Sequence, residues 1–275
     1  MNNDRIQEIL DLMEEARLDY FLISDPQSIA YCTGYYNDPH ERMFVFMISK
    51  HGNHTLFMND LFYLDHDLDV NIVWHKDGQD AIQTIVDEMH FPGRIGIDKN
   101  WASHFLLDLM KKLPDAKYIN ASPCVDLVRM KKDLQEQVLM IESSKINDAV
   151  MEEIIPFIQE GVTEKQLAKK LDELFFNHHS TCYGAIVAFG KNAADPHHEN
   201  DDTLLRKGDC VLIDMGCVYK GYCSDMTRTF FYEGILEEEI KVYEIVKKAN
   251  EAAEAMIKPG VKLSDIDKCA RKVIS

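Results

Sequence analysis

Apolar positions recur at helical spacing over residues 4–17, at Ile6, Ile9, Leu10 and Met13, and give way at 19–24 to a short continuous apolar run before Asp25-Pro26. The opening therefore predicts a helix followed by a strand. Further apolar runs at 43–49, 54–58, 70–74 and 94–97 are separated by helical patterns over 79–89 and 102–112. Strands alternating with helices predict an α/β domain over residues 1–124.

Beyond it the pattern changes. A long helix is predicted over 133–159, with Val138, Ile141, Ile146, Val150, Ile154 and Ile158 on one face, ending at Gly161. Thr163, followed by Glu164 and Gln166, then caps a second helix over 164–176. Strands follow from about 182 to 231, and helices return around Gly260, 99 residues after Gly161. The two helix pairs share a plan: a long helix, a Gly-Val break, and a second helix with Leu167 or Ile266 six positions on. This predicts a duplicated unit of helix pair plus antiparallel sheet, an α+β domain over 125–275 whose second copy stops where its strands would begin. The face such strands would cover is expected to be exposed and apolar.

Composition narrows the functional classes. A formal net charge of -17 repels phosphate backbones and anionic lipid, so neither nucleic acid nor membrane is an expected partner. No apolar stretch reaches the ~18–20 residues of a membrane-spanning helix, and the acidic, amphipathic start is unlike a secretory leader. Seven cysteines without a CxxC pair read as reduced, mostly buried thiols, and the expected location is the cytoplasm.

The chemistry concentrates in residues 210–231, CVLIDMGCVYKGYCSDMTRTFF, which read as a β-hairpin turning at Lys220-Gly221. A two-residue turn sets Asp214 opposite Thr227 and Gly216 opposite Asp225, so all four share one face. Two carboxylates this close need a counter-charge, a proton or water. A divalent cation, or two about 3.5–4 Å apart, would supply the charge. An exposed edge with Arg228 compensating one carboxylate is the competing explanation. A second cluster, FGKNAADPHHENDD at 189–202, places His197 and His198 side by side at the end of a strand, where one of them can serve a site. The pair His178-His179 reads as surface.

Together these segments resemble the creatinase/prolidase superfamily with the pita-bread fold, peptidase family M24. The resemblance runs through SIAYCTGYY at 28–36, LVRMKKDLQEQ, EGVTEKQLA, VAFGKNAADPHH and VLIDMGCVYKGYCSDMTRTF. It implies a creatinase-like N-terminal domain followed by a pita-bread catalytic domain that is truncated. Asp214 and Asp225 would be metal ligands, His197 the catalytic-site histidine, and Thr227 and Gly216 supports of the metal site. His198, His40 and Arg42 are candidate substrate contacts. The implied activity is hydrolysis of the bond preceding proline by two divalent ions (Mn, Co or Zn), in a homodimer acting on proline-containing peptides. A Xaa-Pro dipeptidase is favoured over aminopeptidase P, and a metal-free pita-bread binding module is the reading of another class. The family's remaining His and two Glu ligands match nothing in this sequence. The chain is therefore expected to hold metal weakly or not at all and to be inactive alone, the second copy requiring roughly 80–100 further residues.

Overall fold

The computed structural model describes residues 1–90 and 92–275. It divides into two compact units, Met1–Lys132 and Asp133–Ser275.

The first unit runs α1 (Asn3–Glu15), β1 (Tyr20–Ile23), α2 (Pro26–Thr33), β2 (Val45–Ser49), β3 (Thr55–Asn59), β4 (Asn71–His75), α3 (Ala81–Asp87), β5 (Arg94–Ile97), α4 (Ser103–Lys112), β6 (Lys117–Asn120) and α5 (Ser122–Met130). Its six strands form one mixed sheet in the order β4-β3-β2-β1-β5-β6, parallel at β3/β4, β1/β5 and β5/β6 and antiparallel at β1/β2 and β2/β3. The two-residue period of the strands splits the core. Phe21, Ile23, Phe46 and Ile48 pack on one face with Ile6 and Ile9 of α1 and Val125 and Val128 of α5. Tyr20, Leu22, Val45 and Met47 pack on the other with Ile82 and Ile85 of α3 and Leu109 of α4. Because α5 gives Cys124, Val125 and Val128 to this core, the division falls after it, between Lys132 and Asp133.

The second unit opens with α6 (Leu134–Ile154), started by a reciprocal capping box between Asp133 and Glu136. The helix tightens into a 3-10 turn at Ile155–Phe157, where Pro156 withdraws a donor. Next come α7 (Glu164–Asn177), β7 (Thr181–Cys182), β8 (Ile186–Phe189), a 3-10 turn (Gly190–Ala194), β9 (Cys210–Met215), β10 (Cys217–Tyr219), β11 (Tyr222–Cys223), β12 (Met226–Phe231), α8 (Glu237–Glu254) and α9 (Leu263–Ile274). Two small sheets result, β12-β9-β8 and β11-β10-β7. Val150, Met151 and Ile154 of α6 and Leu167, Leu171 and Phe175 of α7 close over Val187, Phe189, Val211, Ile213 and Met215. The burial of side chains from both helices and from β8 and β9 is what holds the hairpin in place.

α8 and α9 pack on each other and leave Ile240, Val242, Ile245, Val246 and Leu263 exposed. The two Gly-Val breaks have matching backbones, Gly161 at φ 82° and Gly260 at φ 88°. Among the described residues no helix is long and apolar enough to cross a membrane.

Candidate functional site

The hairpin of the second unit turns on Lys220 and Gly221 with φ of 48° and 85°, the left-handed pair of a type I′ turn, whose twist suits the strands on either side. Tyr219 pairs with Tyr222 and Val218 with Cys223, and farther along Met215 pairs with Met226 and Asp214 with Thr227. The register of the two-residue turn thus persists through both sheets. Between them lies a break in the ladder at Gly216 and Asp225, bridged by the Ser224 N–H on the Cys217 carbonyl at 3.0 Å.

That break is where Gly216 is required. A Cβ there would come within 2.2 Å of the Ser224 carbonyl oxygen and 2.2 Å of the Tyr183 hydroxyl. Tyr183 follows β7 and donates from Oη to the Ser224 carbonyl at 2.6 Å, so its phenol crosses the hairpin where Gly216 leaves space for it. Partial burial raises the Tyr183 pKa, with the charge of Asp225 next and a smaller contribution from Asp214. Both carboxylates therefore act on one phenol. Thr227 Oγ1 donates to Asp214 Oδ1 at 2.6 Å, which fixes one oxygen of Asp214 and leaves the other open. Asp225 is exposed and Asp214 half-buried. Open carboxylate oxygens of this kind fit a hard divalent cation.

His197 lies in the loop after β8, exposed, with its backbone N–H on Asp195 Oδ1 at 3.0 Å. Its neighbour His198 faces the other way. His198 Nε2 meets Glu164 Oε2 at 2.6 Å, and Glu164 holds the imidazole above its ordinary pKa. Glu164 is fully buried, and its oxygens also accept the Phe189 N–H (2.8 Å), Asn192 Nδ2 (2.9 Å) and the Asp201 N–H (3.0 Å).

Glu164, His198 and Asp201 form the cluster of potential metal donors found among the described residues. Its geometry argues against a cation. A metal with bonds of about 2.0–2.2 Å to nitrogen and oxygen would hold those two atoms roughly 3.3 Å apart, well beyond 2.6 Å. The oxygens of Glu164 are moreover already taken by N–H donors. The cluster is a hydrogen-bonded ion pair.

His40 and Arg42 belong to the first unit. Arg42 grips Asp77 through Nε (3.0 Å) and Nη2 (2.8 Å), which holds the Asp77 carboxyl below its ordinary pKa, and reaches Glu41 at 2.7 Å. The pair lines a cavity of about 290 Å³ together with Asn59 and His75. His40 is exposed, with its backbone N–H on Asp38. His178 pairs with Glu153 at 3.0 Å. The seven cysteines are free thiols.

Tyr183 and Glu164 escape a reading of the sequence. Tyr183 is far in sequence from the hairpin it crosses, and no local pattern marks it. Glu164 looks like an ordinary acidic residue in a helix's first turn, where the helix dipole favours one.

Two family models match the chain: metallopeptidase family M24 over residues 138–275 and the creatinase/prolidase N-terminal domain over residues 5–131. Among solved structures, a dipeptidase of Pyrococcus horikoshii OT3 is 33% identical, with a TM-score of 0.88 over 98% of this chain and 77% of its own. A prolidase of Thermococcus sibiricus is 28% identical, with a TM-score of 0.90 over 100% of this chain and 77% of its own. An uncharacterized peptidase of Staphylococcus aureus (strain bovine RF122 / ET3-1) is 29% identical over 98% of this chain and 78% of its own. The chain belongs to metallopeptidase family M24, with a creatinase-like domain ahead of the pita-bread domain.

Proposed function

We propose that the protein hydrolyses the peptide bond preceding proline in Xaa-Pro dipeptides, with Asp214 and Asp225 as ligands to a pair of Mn, Co or Zn ions. The observation that carries this reading is the cross-strand pairing of Asp214 with Thr227, on a hairpin where Asp225 and Asp214 both act on Tyr183 and Gly216 leaves space. Divalent ions at such a site supply an activated water and a polarising charge. The chain's own residues supply the rest. Asp214 and Asp225 contribute oxygen donors, and Thr227 orients one of them. His197, exposed on its loop, can donate to a substrate carboxylate or to the oxygen on which charge develops. Two carboxylates offset only part of the charge of two dications. Tight binding of a pair requires further donors, and we expect these two alone to hold metal weakly.

The preference for dipeptides rests on the likeness to a dipeptidase and a prolidase. A cytoplasmic setting is supported by the free thiols.

The test is made on the protein as its gene encodes it. Mn²⁺ is titrated calorimetrically into wild type, Asp214→Asn and Asp225→Asn, and each is assayed on a Xaa-Pro dipeptide and on a longer peptide beginning Xaa-Pro. Cleavage of the dipeptide by wild type, with a loss in each variant greater than the roughly 10–100-fold expected for an outer-shell residue, supports the reading. Equal cleavage by wild type and variants would refute it. Faster release from the longer peptide would redirect it to an aminopeptidase P.

A further inference from the structure

The loop that carries His197 is held from beneath by one buried carboxylate. Glu164 opens α7, and its four donors come from the end of β8 (Phe189), the 3-10 turn (Asn192), the Pro-His-His segment (His198) and the return of the loop (Asp201). The backbone joins in: the Glu164 N–H donates to the Thr203 carbonyl at 3.3 Å, the Lys165 N–H to the Asp201 carbonyl at 3.2 Å, and Thr163 forms an isolated bridge with Leu204. The loop is thus wrapped around the first turn of a helix whose own face is part of the core.

A buried anion needs a counter-charge or a full set of donors, and Glu164 has both. The groups facing His198 are Glu164 from α7 and Asp201 and Asp195 from the loop, all acidic. Lys165, the nearby cation, is engaged with Asp202 at 3.0 Å. The protonated imidazole is therefore the charge that neutralises Glu164, and its raised pKa agrees. Asp195 fixes the start of the turn by accepting from His197 through its carboxylate and from His198 through its carbonyl.

We propose that Glu164 and His198 are positioning residues for the peptidase site. Glu164 gathers the loop at four points, and His198, by committing its side chain inward, sets the backbone so that the adjacent His197 is presented outward. The inference rests on the reading of His197 as the working histidine. Neither Glu164 nor His198 touches the substrate in this scheme. Their effect on the reaction is transmitted through the placement of His197, where a displacement of about 1 Å can cost on the order of 100-fold in rate.

The experiment compares wild type with His198→Ala, His198→Gln and Glu164→Gln in the protein as its gene encodes it. Hydrogen exchange of residues 190–203, NMR titration of the histidine rings, and kcat and KM on a Xaa-Pro dipeptide are the readouts. Loss of a hydrogen bond to a charged group should speed exchange in the loop of His198→Ala roughly 10- to 100-fold, with β9 and β12 unchanged. His198→Gln, whose amide can still donate to Glu164, should recover most of that protection. The His198 ring should titrate above ~6.5 in wild type and move down towards it in Glu164→Gln. The kcat of His198→Ala should fall about tenfold or more with KM little changed, the pattern of a misplaced catalytic group. If Glu164→Gln fails to fold, the two His198 variants carry the test. Unchanged loop exchange in His198→Ala, or a His198 ring that titrates at its ordinary value, overturns the clamp. Faster loop exchange in His198→Ala with unchanged kcat overturns the positioning role. Absence of Xaa-Pro cleavage in metal-loaded wild type overturns the peptidase reading instead, while exchange and titration, which need no substrate, still decide the clamp.

Discussion

Glu164 and the pair Asp214/Asp225 belong to the same unit, yet their oxygens are treated in opposite ways. Glu164 is fully buried and accepts four hydrogen bonds, one of them from His198. Asp214 has one oxygen on Thr227, and Asp225 stands exposed. Two other buried acids follow Glu164. Glu136 takes the Asp133 N–H and the Tyr222 hydroxyl, and Asp98 takes the Ser24 hydroxyl and the N–H groups of Ser24, Asp25 and Asn100. A carboxylate whose lone pairs are filled by the protein has no capacity left for a ligand and serves the fold. One whose lone pairs are open and which stands near a second charge adds little to stability and is available for chemistry. The number of satisfied oxygens, rather than the mere presence of acids, separates the two roles.

The largest test of that contrast is the removal of Glu164. Glu164→Ala leaves the Phe189 and Asp201 N–H groups, Asn192 and His198 without the carboxylate that accepts from them in a water-poor site. Breaking a buried pair from one side costs about 3–5 kcal/mol, and urea unfolding should show a loss of that size. A loss below about 1 kcal/mol would mean that water replaces the carboxylate and that the site is less enclosed than its burial indicates.

The break in the hairpin comes next. In Gly216→Ala the new methyl meets the Ser224 carbonyl and the Tyr183 hydroxyl, each at 2.2 Å. The tyrosine can swing away but the carbonyl is backbone. Calorimetry should therefore show a loss near the top of the roughly 1–3 kcal/mol range for overpacking, only part of which Tyr183→Ala in the same chain restores. Full recovery would assign the restriction to Tyr183 alone.

Much of this site is legible in the sequence because it depends on local rules. The Lys220-Gly221 turn fixes the register, and Asp214 does pair with Thr227. Thr163 with Gln166 makes the expected capping box, and α7 starts where it should. The six-stranded sheet is also foreshadowed, since β1 to β5 coincide with apolar runs. What escapes the pattern is non-local or weakly apolar. β6, Lys-Tyr-Ile-Asn, carries too few apolar residues to register as a strand, and α2 begins at Pro26, which reads as a turn. α5 straddles the expected boundary at 124/125, and its Val125 and Val128 are claimed by the first unit only once folded. The same holds for the ladder break: the turn register sets Asp225 opposite Gly216, but the strands part there to enter separate sheets.

The third test uses pH. Glu164 raises the pKa of His198 above its unfolded value, so between the two values the folded state binds more protons and stability falls as pH rises. The contribution is complete below ~6.5 and is lost as pH passes through the folded value. A neutral imidazole can still donate from Nε2, so the bond survives while the charge pairing does not. Unfolding followed from pH 6 to 9 should show this downward component in wild type and lack it in His198→Gln. Identical curves would remove the histidine from the balance of charge around Glu164.

The smallest effect on stability is expected at the carboxylates proposed as metal ligands. Asp225→Asn removes an exposed carboxylate whose neighbours include a second carboxylate and a phenol that its charge disfavours ionising. Without metal, that change relieves repulsion and breaks no filled hydrogen-bond set. The unfolding free energy should stay within about 0.5 kcal/mol of wild type, as for surface substitutions away from a special feature. With Mn²⁺ present the sign should differ, because a ligand that binds only the folded state stabilises it in proportion to the logarithm of its concentration over Kd. Wild type should gain stability as Mn²⁺ is raised, and Asp225→Asn should gain less at every concentration. Were Asp225→Asn to cost several kcal/mol without metal, the open carboxylate would be as structural as Glu164. The distinction between filled and open oxygens would then lose its meaning in this molecule.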